Sequence, residues 1–515
     1  MFSLCFNIRW IPYDKHRVFT FLFAILATFT LPGRKNRKKI FIFQRISPET
    51  DVITVIIGVI KDFQNISNNM SDISKNQTWT GRLGFIIASV GAAVGLGAIW
   101  KFPYMTGAGG GAAFLIPFVL FSFTLGYGLL LAEISLGKAG SGGIVTAYRR
   151  LGGPLWSKFG YLGVIVGFVV LSFYSVVGGW CVLYFFVALA ADFGEATPAA
   201  LGQLFGRLSS NPTIAILAQV SFLAIVGLVV GGGIRGGIEK CSKWLMPILL
   251  LFILILIATG MSQPGAWQGV EYLFYPDFSK FNFKTLLDAM GLTFFSYSVG
   301  AGCMLTYGAY LNNKTNLLNC TFWIVTLSLM VSLLAGLMIL PATFAFGMNP
   351  EAGPGLTFIT MPAIFTQLPY GHAFAVMFFF CLIVAALTSA VSMLEIDITW
   401  MVQDLNMKRS TSVVVCLVLM LALSIPCCLS FGLLADFKIF NRTIFDLCDF
   451  FVSNICLPIG GIISALLTSW FAWDKVHTTW SKCAPNTMWK QILRIMIGVF
   501  CPILVLVVMI SGLIS

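Results

Sequence analysis

The sequence predicts an all-α polytopic membrane protein of about 11 transmembrane helices, built as a 5+5 inverted repeat with broken helices 1 and 6. Three observations carry this expectation. Hydrophobic residues make up 58% of the 515 positions and charged residues 10%, with a mean hydropathy of +0.90, far outside the range of soluble domains. Apolar stretches recur at the roughly 20-residue length that crosses a bilayer. Two of those stretches, the first and the sixth, carry helix-weakening residues at their centres.

The apolar segments after residue 80 run over 84–108, 112–136, 157–190, 214–231, 242–260, 284–311, 319–347, 372–402, 411–431, 444–472 and 489–514, and are called spans one to eleven. Spans two, five, nine and eleven are uninterrupted, whereas three and eight are long enough to tilt. The loop after span two holds Lys138, Arg149, Arg150 and Lys158 without an acid. The loop after span four holds Arg235, Lys240 and Lys243, and the one after span eight Lys408 and Arg409. The connection 191–213 is poorer in bases, with Asp192, Glu195 and Arg207. Basic loops face the cytoplasm, so the expected topology is a multi-pass protein of the cell membrane with a cytoplasmic N-terminus and the C-terminus outside.

The formal net charge of +12 fits a cationic face on an anionic inner leaflet. No groove-reading helix or stacking motif points to nucleic acid. The 13 cysteines lie mostly within apolar runs and lack paired metal spacing, so they read as small buried residues.

Residues 1–69 form an atypical extension. An apolar run over 18–31 is followed by Pro32 and the basic block Arg34 to Lys39, and a second run, 52–60, is too short to span. Charges after the apolar run are the reverse of a signal peptide. The expectation is that translation begins at Met70 and residues 1–69 are not translated; the competing reading is one additional N-terminal span. Residues 70–515 then form a single domain, with inverted repeats over about 79–260 and 284–472 and an extra helix over 489–514.

In span one, Gly91, Gly95 and Gly97 fall at mid-depth, each costing about 1 kcal/mol of helix relative to Ala. In span six, Ser296, Ser298, Gly300 and Gly302 repeat the pattern. Irregular backbone is tolerated at that depth only where protein or a watery cavity satisfies it. Five spans, an odd number, bring the second set in from the opposite side, so the two breaks meet around a solute site.

These residues carry a family resemblance. The stretch from Trp79 to Pro103, with GAAVGLGAIWKFPY, resembles the first-helix signature of the neurotransmitter:sodium symporter family. Similar segments follow in order at Gly236–Leu249, Tyr275–Phe281, Gly300–Tyr310, Ala385–Glu395 and Phe445–Asn454, so the resemblance covers essentially residues 79–472. It implies a sodium-coupled secondary transporter that takes up an amino acid by alternating access, with Na⁺ as the co-transported ion. The alternative reading is a non-transporting membrane amino-acid sensor that keeps the binding site; a channel is a third option, opposed by gates on both sides.

The resemblance also implies a ligand set. One sodium site would use the carbonyls of Gly91, Val94 and Ala385 with the hydroxyls of Thr388 and Ser389, oxygen ligands suited to a hard cation. On the bland reading, both hydroxyls bond back to a helical carbonyl. The family's other sodium site is impaired, with Ala98 and Ser328 at ligand positions, leaving the carbonyl of Ala93 and the hydroxyl of Ser296. The chloride positions are Phe118 and Leu292, beside Ser332. One sodium and no chloride requirement are expected.

Gly95 stands where amine carriers of the family place an Asp, so the ligand must bring its own carboxylate, held by half-helix N-termini and by Tyr174. Its ammonium would meet carbonyls near Ala93 and Phe295 and the hydroxyl of Ser298. Around Gly97 and Ser296, the side-chain pocket would be formed by Val170, Phe295, Ala301, Ser389 and Met393. Ala301 occupies a position held by Phe in the family's leucine carrier, which suggests a large apolar or aromatic amino acid.

Lys101 and Asp449 would form an outer gate above Phe295, looser than an Arg pair because Lys lacks the planar fork. On the inner side Trp79 would act as a latch, with Lys75 or Arg82 meeting Asp404. Glu133, a carboxylate within span two, is expected to accept freed backbone N–H groups. GGGIRG at Gly231–Gly236 follows a membrane helix rather than a strand and implies no nucleotide. With histidines only at 16, 372 and 477, and neither HExxH nor GxSxG present, an enzyme is not expected. The anticipated partners are a small-molecule amino acid, sodium ion and membrane lipid.

Overall fold

A computed structural model describes residues 78–190, 193, 197–312, 315–350, 355–480 and 487–514. The expectations for residues 1–69, Met70, Lys75, Asp192 and Glu195 lie outside the described residues. All regular structure there is helical. Among the described residues nine helices are long and apolar enough to cross a membrane: Ala112–Gly140, Pro154–Ala190, Pro212–Gly231, Ile234–Met261, Leu317–Ala345, Gly371–Asp404, Arg409–Leu429, Ile444–Phe471 and Met488–Ile514. They match spans two to five and seven to eleven.

A tenth arises if the bent pair Arg82–Ala93 and Gly97–Ala108, inclined by 54°, is one span. Span six is split more severely, into Phe283–Ser296 and Cys303–Ala309, and neither half reaches membrane length alone. By length and composition the described residues therefore hold nine such helices, or ten with the bent pair, and span six is a further segment split in two.

Between spans three and four lies a helix, Pro198–Ser210, that hydropathy does not announce. Thr197 caps it by accepting the Ala200 N–H, and Pro198 opens it, where a missing N–H costs nothing. Spans three and eight are the most enclosed, and five and eleven the least.

The break in span six is seated by close backbone approach. Gly300 has φ +91°, and a Cβ there would stand 2.1 Å from the Leu457 carbonyl oxygen; at Gly460 a Cβ would stand 2.0 Å from the Gly300 oxygen. Only glycine permits both the left-handed conformation and the contact. Glu133 acts as expected: its Oε1 accepts the Gly300 N–H at 2.6 Å.

At the end carrying Trp79, the molecule is packed shut. Trp79 is buried, its indole donating to the Tyr307 carbonyl at 2.9 Å. Asp404 accepts from Arg149 and from the Thr146 hydroxyl. Arg82 does not meet Asp404; its guanidinium donates to Asn319 Oδ1 instead, because Arg149, on helix Ile144–Gly152, already occupies the carboxylate.

Deeper in, Arg409 forms a bidentate pair with Glu395, both buried, and its Nε donates to the Val230 carbonyl at 2.9 Å. Removing one partner of such a pair strands a buried charge, at a cost of about 3–5 kcal/mol. Arg409→Met should lower the unfolding midpoint in detergent far more than Lys284→Met, whose ion pair with Asp288 is exposed; equal midpoints would contradict this reading.

Candidate ligand and cation site

The two breaks are built differently. In span one the helix ends at Ala93, and Val94 takes φ −83°, ψ +66°, turning its carbonyl off the helical course. The Ala98 and Ile99 N–H groups return to the Gly95 carbonyl at 3.1 and 3.4 Å, and π-helical turns resume over Gly97–Lys101. The Leu96 N–H, freed by the break, donates to the Tyr174 hydroxyl of span three at 3.2 Å. In span six the turn 297–302 includes Ser298 at φ +50°, a left-handed conformation uncommon for a non-glycine residue. The Ser298 hydroxyl donates to the Ala92 carbonyl at 3.4 Å, so the breaks touch.

Between them lies a cavity whose lining comes from spans one, three, six, eight and ten. Nine residues expected at the pocket reach it: Ala93, Gly97, Val170, Tyr174, Phe295, Ser296, Ser298, Ser389 and Met393. Phe295 presses on the backbone of span one, where a Cβ at Gly97 would stand 3.0 Å from its ring. The Ser296 hydroxyl is buried without a hydrogen-bond partner, leaving it free for a ligand. Met393 is held from behind by the Cys303 thiol, at 3.3 Å from its sulfur.

Ala301 does not line the cavity. It is fully buried, and its carbonyl faces span three, 2.9 Å from where a Cβ of Gly163 would be. Gly300 and Gly302, both left-handed, carry the turn away from the cavity there, and a methyl group is too short to reach back.

Sequence reasoning also missed Leu96, Phe173, Val452, Ser453 and Leu457 as walls, and assigned Gly95 only to charge selection. Val452 and Ser453 sit within the family-like segment Phe445–Asn454, but their orientation depends on π-helical turns at Val452–Cys456 that no hydropathy pattern reports.

On one side of the cavity, span eight approaches the break in span one. A Cβ at Gly91 would stand 3.2 Å from Thr388 Cβ, and one at Gly95 would stand 3.0 Å from Ser389 Oγ and 3.1 Å from the Tyr174 hydroxyl. Thr388 Oγ1 donates to the Val384 and Ala385 carbonyls at 3.0 and 3.3 Å. This is the back-bonding expected of a helical hydroxyl, and it leaves lone pairs for a cation. No backbone N–H among the described residues closes onto the Gly91 or Val94 carbonyl from beyond the helix. The structure thus brings Thr388 beside Gly91 and Ser389 beside Gly95, with the Ala385 carbonyl at the Thr388 hydroxyl and the Val94 carbonyl turned off the helix at the same break.

The outer gate differs from expectation. Lys101 Nζ lies 4.6 Å from the centre of the Phe295 ring, and Asp449 Oδ1 accepts the Ser453 hydroxyl at 2.9 Å. The two charges form no ion pair among the described residues. A flexible ammonium finds the aromatic face, and the carboxylate is satisfied by the hydroxyl four residues on.

Comparison with known proteins accords with this architecture. A model of the Sodium:neurotransmitter symporter family matches residues 76–197 and 210–515. An uncharacterized sodium-dependent transporter of Bacillus subtilis, YhdH, is 40% identical over 389 residues, covering 75% of this chain and 86% of the relative. Sodium- and chloride-dependent GABA transporter 2 of Mus musculus is 24% identical, over 77% of this chain and 73% of its own. The crystal structure of MhsT in complex with L-phenylalanine superposes with a TM-score of 0.78 at 34% identity, covering 85% of this chain and 99% of that one. These relatives are transporters rather than enzymes. The chain is a multi-pass membrane protein belonging to the sodium:neurotransmitter symporter family.

Proposed function

We propose that the chain carries an amino acid across the cell membrane together with Na⁺, with its N-terminal side in the cytoplasm, and that the substrate is a large apolar or aromatic amino acid. The observation that carries this reading is the pair of facing breaks, whose freed carbonyls, amides and hydroxyls border one cavity without a fixed charge among its lining residues. A zwitterion suits such a site: its carboxylate meets the Leu96 region and Tyr174, and its ammonium meets carbonyls and Ser298. Apolar walls at Val170, Phe173 and Met393 suit a bulky side chain, and the related MhsT binds L-phenylalanine in its crystal structure.

Gly91, Val94, Ala385, Thr388 and Ser389 would hold the single Na⁺. One positive charge entering down 100 mV supplies about 2.3 kcal/mol, and each tenfold sodium gradient adds about 1.4. The mechanism is alternating access within two inverted repeats, 79–260 and 284–472: sodium and substrate favour the state shut at the Trp79 end, Phe295 closes beneath Lys101, and the Trp79 end then opens.

Scintillation binding with labelled L-phenylalanine tests substrate and ion together. Tryptophan, tyrosine and leucine should compete, Na⁺ should be required where K⁺ fails, binding should rise with the first power of Na⁺, and replacing chloride should change nothing. Equal binding in K⁺, or competition by glycine alone, would overturn the reading; sodium-dependent counterflow in proteoliposomes separates transport from sensing.

Thr388→Val keeps the side-chain shape and removes one proposed sodium ligand. A lost hydrogen-bond-strength contact to a charge is worth about 1.5–3 kcal/mol, so half-saturation by Na⁺ should rise by about tenfold or more. Ser412→Ala, on span nine, should leave it unchanged.

A further inference from the structure

Asp397 is an acid with no visible occupation. It lies on span eight one helical turn beyond Met393, between the cavity and the shut Trp79 end. It is 1% exposed, and neither carboxyl oxygen has a hydrogen-bond partner. Among the described residues each of the other buried acids has a partner: Glu133 the Gly300 N–H, Glu239 Thr80 and Lys243, Glu395 Arg409 and Tyr310.

Its surroundings offer no counter-charge. On span three it faces Gly167, where a Cβ would stand 3.3 and 3.4 Å from the two carboxyl oxygens. The buried thiols of Cys303, on helix Cys303–Ala309, and of Cys416, on span nine, lie within reach of its charge and carry none of their own. On its own helix the neighbouring acid, Glu395, is committed to Arg409. No Lys, Arg or His makes an ion pair with Asp397 among the described residues.

Membrane carboxylates of this kind are expensive and point to function. A metal ion would need several oxygens about it, yet Gly167 closes on the carboxylate, neither of its oxygens has a hydrogen-bond partner, and the cavity lining stops at Met393. An ionised carboxylate without donors would cost several kcal/mol. A proton needs neither room nor further ligands.

We propose that Asp397 is a proton-binding site, loaded while the Trp79 end is shut and emptied when helix Cys303–Ala309 moves away and admits water. The released proton passes to that water, leaving a solvated carboxylate. This rests on the alternating-access reading above, and it makes the carrier's conformational balance pH-dependent: protons favour the shut state that accepts sodium.

The test uses Na⁺ itself as the probe, titrated at pH 5.5 to 8.5 against the intact protein in nanodiscs and read by intrinsic tryptophan fluorescence. The sodium concentration at half-saturation should rise with pH, by at most about tenfold per unit for one linked proton. Asp397→Asn, a neutral mimic of the loaded acid, should remove the pH dependence and keep the tight low-pH value. Asp397→Glu should retain a slope, which keeps the test decisive if the Asn variant does not fold.

A flat profile in the wild type, or an unchanged slope in Asp397→Asn, would overturn the proposal while leaving sodium binding intact. So would affinity that improves with rising pH, the sign of protons competing at the cation locus. Absence of any sodium response at any pH would remove the transporter reading and this proposal with it.

Discussion

Peptide groups released at mid-membrane have to find partners, and in this protein that requirement organises the rest. Span one gives up its helical bonds at Val94–Leu96 and span six at residues 297–302. The N–H groups set free are met from other spans, Leu96 by Tyr174 and Gly300 by Glu133. The oxygens are treated differently: at Gly91 and Val94 no backbone N–H among the described residues returns to them from beyond the helix. At these positions the freed donors are met by the scaffold while the carbonyls are left to a ligand, the asymmetry on which the proposed cation site rests.

The scaffold is correspondingly stiff where it touches the breaks. Gly300 and Gly460 bring backbone to backbone in a way any side chain would prevent, and Glu133 anchors the same turn. The Trp79 end is closed by several separate contacts, including the Trp79 indole and the Arg149–Asp404 pair. On the opposite side of the cavity, Lys101 lies over the Phe295 ring.

Much of this was legible in the residues. Spans two to five and seven to eleven follow hydropathy because a segment that crosses a bilayer has little freedom of composition, and the breaks follow the glycines and serines that weaken a helix. What the pattern could not reach depends on three-dimensional company. The nearness of Thr388 to Gly91 came from family resemblance, since nothing local marks a helical threonine as a ligand. Ala301 was misplaced because two left-handed glycines reroute the chain around it. Lys101 and Asp449 were expected to pair, but each found a nearer partner in Phe295 and Ser453. Asp397 passes unnoticed in an apolar run until burial and the lack of donors are known.

The central claim is that the open carbonyls at the break in span one bind sodium. The most direct measurement is a difference density map between crystals grown in Na⁺ and in a large inert cation, each with an amino acid bound. The account predicts a single peak bounded by the Gly91, Val94 and Ala385 carbonyls and the Thr388 and Ser389 hydroxyls. A continuous helix through Val94–Leu96, or a sodium peak elsewhere with none at this locus, would contradict it.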